Sequence, residues 1–256
     1  MLIRANDLEV RATRWQDPVV MEMMGIEEDF NYFPAQMGLS EFARHPHRTY
    51  EEISREFLAT FHFCHDKGKE RKHGNPTEPS FDVKFSMFGN RYNMTLNEFC
   101  KALHLPNIGS WEEVPSDSDI ELQDFWKTIS VDETGVIHRG KLSQIQHPGL
   151  RYFRLFLVKG FLPRKNSTAC TGPILHLLKC AKEGVASHYN LGVMLARSLS
   201  YSVNHNESKP LFAGAIATMI HEYIKTEINS TYGGTKVPGS NLLDLDVVVR
   251  MNILLP

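Results

Sequence analysis

The chain carries 12 histidines, and those best placed by type and spacing to do chemistry lie near one cysteine. His62, Cys64, His65 and His73 fall close enough in sequence to share a zinc ion, which takes imidazole and thiolate ligands. Their spacing matches no established zinc pattern, and His62 and Cys64 are expected at the end of an amphipathic helix, so no metal is assigned. His221-Glu222 opens like a zinc-protease helix, but the second histidine's position holds Lys225. Neither a phosphate-cradling G-x-x-x-x-G-K-[ST] loop nor G-x-G-x-x-G occurs, and the nucleophile elbow G-x-S-x-G is missing. The many acidic residues include candidates for metal-assisted strand transfer, but no spacing rule selects any. Cys64, Cys100, Cys170 and Cys180 stand far apart without a CxxC pair, as buried thiols of an intracellular protein do. The expectation is therefore no catalytic residue, no metal and no cofactor.

Charge is the second source of chemistry. A net charge of −2 hides a strong asymmetry. Residues 1–133 hold 14 Lys and Arg against 24 Asp and Glu, whereas residues 134–206 hold 10 basic residues and a single acid, Glu183. One reading is an anion-binding face for nucleic acid or acidic lipid, built from Arg151, Arg154, Lys159, Arg164 and Lys165, with Tyr152, Phe153, Phe156 and Phe161 able to stack on bases. The other, preferred here, packs the basic segment on the acidic one, because Phe153 and Phe156 fall where a core-facing helix puts them.

These residues need elements to hold them, and the signals are mainly helical. Asp17-Pro18 caps and opens a helix that stops at Gly25, and a second runs from Glu27 to Gln36. Thr49-Tyr50-Glu51-Glu52 matches a capping box, followed by Tyr50, Ile53, Phe57 and Phe61 at helical spacing. Lys67 to Ser80 reads as a loop. The period then changes to two through Phe81, Val83, Phe85 and Met87, a Gly89-Asn90 turn pair follows, and Tyr92 and Met94 return. Thr95 to Glu98 is a further capping box, opening a helix with Leu96, Phe99, Cys100 and Leu103 inward. Pro106 to Asp119 marks a boundary. Later helices carry Leu122, Phe125 and Trp126; Leu150, Phe153 and Leu157 up to Gly160; Ile174 to Ala181 up to Gly184; Leu191 to Leu199; and Leu211/Phe212 to Tyr223/Ile224. Ile228 to Asn241 reads as a loop. The tail fits a strand (Leu243, Leu245, Val247, Val249, Met251) or a helix, and these apolar residues either dock on the core or reach a partner, docking being preferred.

The predicted architecture is mainly α: a bundle of about nine helices with one β-hairpin near residues 81–95. An acidic N-terminal lobe (1–110), a basic helical lobe (119–227) and a loop with an apolar C-terminal segment (228–256) make it up. No stretch reaches the roughly 20 apolar residues a membrane-spanning helix needs. Met1 to Val10 include Arg4, Asp7 and Glu9, unlike a secretory leader, so the glycosylation-like triplets at Asn93, Asn166, Asn206 and Asn229 read as chance. The cytoplasm is the expected compartment, with mitochondrion and nucleus as alternatives.

Several stretches resemble the first-open-reading-frame (Gag-region) protein of Athila-type plant retrotransposons. Thr49 to Leu58 is similar to its "TY..LT.EFL" segment, and Phe85 to Phe99 with Leu103-His104-Leu105-Pro106 is similar to the stretch that follows. Ile145-Gln146-His147-Pro148-Gly149-Leu150-Arg151-Tyr152 matches "I.HP..RY", and Gly214 to Ile220 loosely matches "GG.IT.I". The resemblance covers about residues 10–225 and implies no enzyme activity and no functional residues to carry over. The present chain is short, without the family's long polar C-terminal region or any protease or polymerase, which suggests a fragment captured by the host. Captured genes of this kind include components of selfish gamete-killing systems, in which toxin and antidote act by binding. The leading expectation is a non-enzymatic protein-interaction domain with an unidentified protein partner, including a second copy in a homodimer. The alternative is a Gag-like nucleic-acid binder using residues 134–206.

Overall fold

A computed structural model describes residues 10–44, 46–66, 80–111, 115–131, 141–162, 170–204, 213–228, 236–237 and 242–250. Helix α1 (Pro18–Met24) starts where Asp17 accepts from the Val19 amide, proline fixes the first turn, and left-handed Gly25 stops it. α2 (Glu27–Gln36) buries Phe30 and Phe33, and α3 (Ser40–Arg44), which no sequence signal marked, buries Phe42. α4 (Glu51–Thr60) presents Ile53, Phe57 and Leu58 inward. Its predicted Thr49 capping box does not form. Tyr50 is the N-cap, without a side-chain bond, and the Thr49 hydroxyl instead accepts from the Thr13 amide at 3.3 Å.

The hairpin is present but belongs to a three-stranded antiparallel sheet: β1 (His62–Asp66), β2 (Ser80–Met87) and β3 (Asn90–Thr95), in the order β1-β2-β3. His62 and Cys64 therefore lie on a strand rather than at a helix end, with His62 opposite Lys84 and Cys64 opposite Asp82. The two-residue turn is Phe88-Gly89, both at positive φ, one position earlier than expected, with Met87 paired to Asn90. Phe81, Val83, Phe85 and Met87 are buried, as their alternation requires. β3 runs into α5 (Leu96–Ala102) through a complete Thr95/Glu98 capping box.

α6 (Ile120–Ile129) is capped by Asp119. α7 (Pro148–Phe156) is capped by His147 and does not stop at Gly160 but widens into a π-helical turn, Leu157–Phe161. α8 (Gly172–Glu183) ends at left-handed Gly184. α9 (Leu191–Asn204) and α10 (Gly214–Ile228) follow, and the ambiguous tail is a helix, α11 (Leu245–Arg250). Eleven α-helices thus stand among the described residues where about nine were expected, and the protein is mainly α. The expected loops Lys67 to Ser80 and Ile228 to Asn241, and Leu211 and Phe212, lie largely outside the described residues.

The buried side chains form one apolar cluster reaching from Val10 to Val248. Its aromatic centre is Phe30, whose ring meets Tyr152 at 5.5 Å, Phe153 at 5.9 Å and Phe156 at 5.5 Å, all edge-on. This seam joins α2 to α7, while α10 packs on α4 and α5. The N- and C-terminal segments are laid side by side by a parallel bridge, Trp15 to Leu242.

Candidate functional site

One nucleophile-like constellation escaped the sequence reading, although its four-residue spacing on α8 could have flagged it. The Cys180 thiol lies 3.4 Å from His176 Nε2, which is 3.2 Å from the Ser187 hydroxyl. Nucleophilic use would need a thiolate beside an imidazolium. Burial works the other way: it lifts the Cys180 thiol to about 11. It also depresses His176 to about 4, with Lys179 and His188 adding to the fall. Both groups are neutral at pH 7, and Ser187 donates onward to the Tyr189 carbonyl at 2.9 Å. Cys100 is pushed up by burial to about 12, and burial raises Cys170 too. All four cysteines are unbridged. Among the described residues no group of three or more His, Cys, Asp or Glu side chains is placed to hold a metal ion. His73 lies outside them.

A hollow of about 600 Å³ opens between α2, α6, α7 and α8. Phe33, Ile129 and Leu150 form its floor, while Asp29, Thr128, Gln146, His147 and Lys182 stand around the rim. His147 is anchored through one ring nitrogen. Its Nδ1 accepts from the Leu150 amide at 3.3 Å, which leaves Nε2 to carry the proton towards Asp29, 3.8 Å away. Its ring also meets Phe33 edge-on at 6.3 Å. The hollow thus combines an apolar floor with a polar rim. A smaller hollow of about 240 Å³ is lined by His47, Lys101, His104 and Glu222 among others. There His47 Nδ1 donates to Glu222 at 3.0 Å, and that bond lowers the Glu222 carboxyl's pKa. His221-Glu222 thus serves α10 packing.

The structure divides the basic residues singled out from the sequence. Arg151 is buried and its guanidinium donates to the Gln146 carbonyl at 3.1 Å. Arg154 is fully buried and faces the Cys170 thiol. Lys159, on the π turn, is pushed down to about 8 by burial first, then by Arg14, Arg11 and Arg154. Arg164 and Lys165 lie outside the described residues. Lys159 therefore feels Arg11 and Arg14, two cations from the acidic half, as well as Arg154. Tyr152, Phe153, Phe156 and Phe161 are all fully buried, so none can stack on a base while the fold holds. In the tail, Leu243 is buried, with its amide bonded to the Trp15 carbonyl. Leu245 and Val249 are exposed, Val247 is half-buried, and Met251 is outside the described residues.

A family model described as the ATHILA ORF-1 family matches residues 4–197, about three quarters of the chain. The chain belongs to this family. No curated protein and no solved structure matches it. As an ATHILA ORF-1 protein it is retrotransposon-derived. The matched stretch includes every residue of the larger hollow, whereas α10 and α11 follow it. No described helix is long and apolar enough to cross a membrane.

Proposed function

We propose that the protein is a non-enzymatic interaction domain, a plant retrotransposon first-open-reading-frame product captured by its host, which seats a side chain of a protein partner in the hollow between α2, α6, α7 and α8. The observation that carries this reading is the hollow's make-up: an apolar floor of Phe33, Ile129 and Leu150, and a polar rim in which His147 Nδ1 caps α7. A hollow of about 600 Å³ accepts a large anchor residue, the kind of contact that dominates protein interfaces. The neutral Cys180/His176 pair supports a non-catalytic role, and three buried, unbridged thiols support an intracellular, cytoplasmic one. Binding without chemistry is also how a toxin or antidote of a gamete-killing system would act, and that is the host use we favour.

The test compares wild type with Thr128→Arg, which fills the hollow from an exposed position on its rim. A plant protein, or a second copy of this chain, that wild type retains and the variant loses at unchanged melting temperature supports the reading. Salt-dependent capture of RNA or DNA without any protein would overturn it in favour of a nucleic-acid role. Expression in plant cells that is harmless and recovers no partner would sink the toxin-antidote assignment.

A further inference from the structure

Around the hollow between α2, α6, α7 and α8, three hydrogen-bond acceptors stand without donors among the described residues. The Asp29 carboxylate is half-buried at the edge and accepts no hydrogen bond from any described residue: His147 Nε2, at 3.8 Å, is beyond bonding reach. Its place is nonetheless fixed. Residue 149, in the first turn of α7, has no side chain, and a Cβ there would stand 2.5 Å from the Asp29 carboxylate oxygen and 2.8 Å from the Asp29 Cβ. Gln146 Nε2 donates to the Ser130 carbonyl at 3.3 Å, which leaves the side-chain oxygen to accept. Thr128 commits its one hydroxyl proton to the Phe125 carbonyl at 2.8 Å and can likewise only accept. Below these acceptors lies the floor of Phe33, Ile129 and Leu150, and the exposed Tyr32 ring meets Phe33 edge-on at 6.1 Å. The Tyr32 hydroxyl is turned onto Gly184. Lys182, the cation at the rim, is exposed to solvent.

We propose that the hollow is an arginine pocket: the partner protein presents one arginine, whose methylene stem lies on Phe33, Ile129 and Leu150 and whose guanidinium pairs with Asp29 and donates to Gln146. This rests on the reading of the hollow as a docking site and names what enters it. Arginine brings five N–H donors and no acceptor, the complement of an acceptor-rich rim. Its stem suits an apolar floor while the charged head stays at the edge, and its planar head packs on an aromatic face such as that of Tyr32. Charge favours the same occupant. Residues 17–37, which include α1 and α2, hold five acids (Asp17, Glu22, Glu27, Glu28 and Asp29) and neither lysine nor arginine. A leucine or phenylalanine would cover Asp29 without giving it a partner, which costs affinity. An acidic anchor would meet its charge directly.

The full chain is used to select random peptides displayed on phage. Counter-selection on Thr128→Arg, which brings an arginine of the chain's own to the rim, discards binders of other surfaces. The survivors should share an arginine. Synthetic copies with arginine or citrulline, its neutral isostere, at that position are then titrated by fluorescence anisotropy against wild type and Asp29→Asn. Citrulline should weaken binding to wild type about tenfold, and on Asp29→Asn the two peptides should bind nearly alike. A variant that merely loosened the fold would weaken both peptides equally and keep their difference. An arginine–citrulline difference that Asp29→Asn leaves intact therefore overturns the proposal. Peptides held in the hollow by an apolar, acidic or lysine side chain overturn the arginine and leave the hollow a docking site. So does self-association of the chain that Thr128→Arg abolishes and arginine peptides do not displace. A selection without any binder sensitive to Thr128→Arg overturns the docking reading and the arginine together.

Discussion

Replacing Gly214 with alanine should destabilise the protein, although alanine is the better helix former. Gly214 is the first residue of α10, and an added Cβ would collide with the Thr49 methyl and lie 2.8 Å from the Ser54 hydroxyl. Neither neighbour can step aside cheaply. Thr49 is buried and accepts from the Thr13 amide at 3.3 Å. The Ser54 hydroxyl is fully enclosed and shares its one proton between the Tyr50 carbonyl at 2.5 Å and the Gly214 carbonyl at 3.2 Å. Thr13 in turn accepts from the Ala215 amide at 3.0 Å, so moving α10 breaks the same network. Overpacking costs about 1–3 kcal/mol and a lost hydrogen bond about 1 kcal/mol, against at most about 1 kcal/mol of returned helix propensity. The net loss is about 2 kcal/mol, or about 4–8 °C in melting temperature for a chain of this size. Urea denaturation of Gly214→Ala, Thr49→Ser and the double variant measures it. Thr49→Ser removes the offending methyl and keeps the hydroxyl, so the double variant should recover about 1 kcal/mol or more relative to additivity. A Gly214→Ala protein as stable as wild type, or strictly additive losses, would refute the packing argument.

Three further outcomes follow from groups already described. His176 is depressed to about 4 from an ordinary 6.5. A neutral, buried imidazole contributes stability that is full above pH 6.5 and lost as pH falls towards 4. His176→Gln should flatten that part of the urea stability profile, and an unchanged slope would count against it. Glu98, lowered by its bonds to Thr95, contributes stability present above the ordinary carboxylate range and lost as pH falls through its folded value. Thr95→Ala should cost about 1 kcal/mol at pH 7, and less at acidic pH, by thermal melting. With Cys100, Cys170 and Cys180 buried and Cys64 half-exposed, a thiol reagent at pH 8 should react quickly with one cysteine per native chain and with four after unfolding. Two or more fast thiols in the native state would contradict the burial.

Local signals that need no partner were legible in the sequence. Asp17-Pro18, the Thr95/Glu98 box and the stop glycines at 25 and 184 act within one turn of chain, and each does in the structure what its chemistry requires. The alternation from Phe81 to Met87 likewise marked β2. What failed were signals that tertiary neighbours override. The Thr49 hydroxyl is claimed by Thr13 before it can cap α4, and β1 is a strand because β2 pairs with it, a fact absent from residues 62–66 alone. α3 has only five residues, too few for a period to emerge. At the candidate sites, Gln146-His147-Pro148 was visible as a motif, but the hollow beside it needs α2, α6 and α8 as well. Arg11 and Arg14, which depress Lys159, lie 148 and 145 residues before it in sequence, out of reach of charge counting by segment.

The side-by-side pairing of Trp15 with Leu242 also bears on how the chain is made. Trp15 is fully enclosed, yet Leu242 and Leu243, which complete its surroundings, are translated roughly 200 or more residues after it, as is the Ala215 amide that Thr13 awaits. At about 5–20 residues per second, the early segment waits on the order of 10–40 s for these partners to leave the ribosome. Until residues 152–161 emerge, Trp15, Phe30 and Phe42 also lack the rings of Tyr152, Phe153, Phe156 and Phe161 that cover them, and cellular holdases have their opportunity to bind. Expression yield should therefore depend on chaperone supply more than the finished protein's stability would suggest.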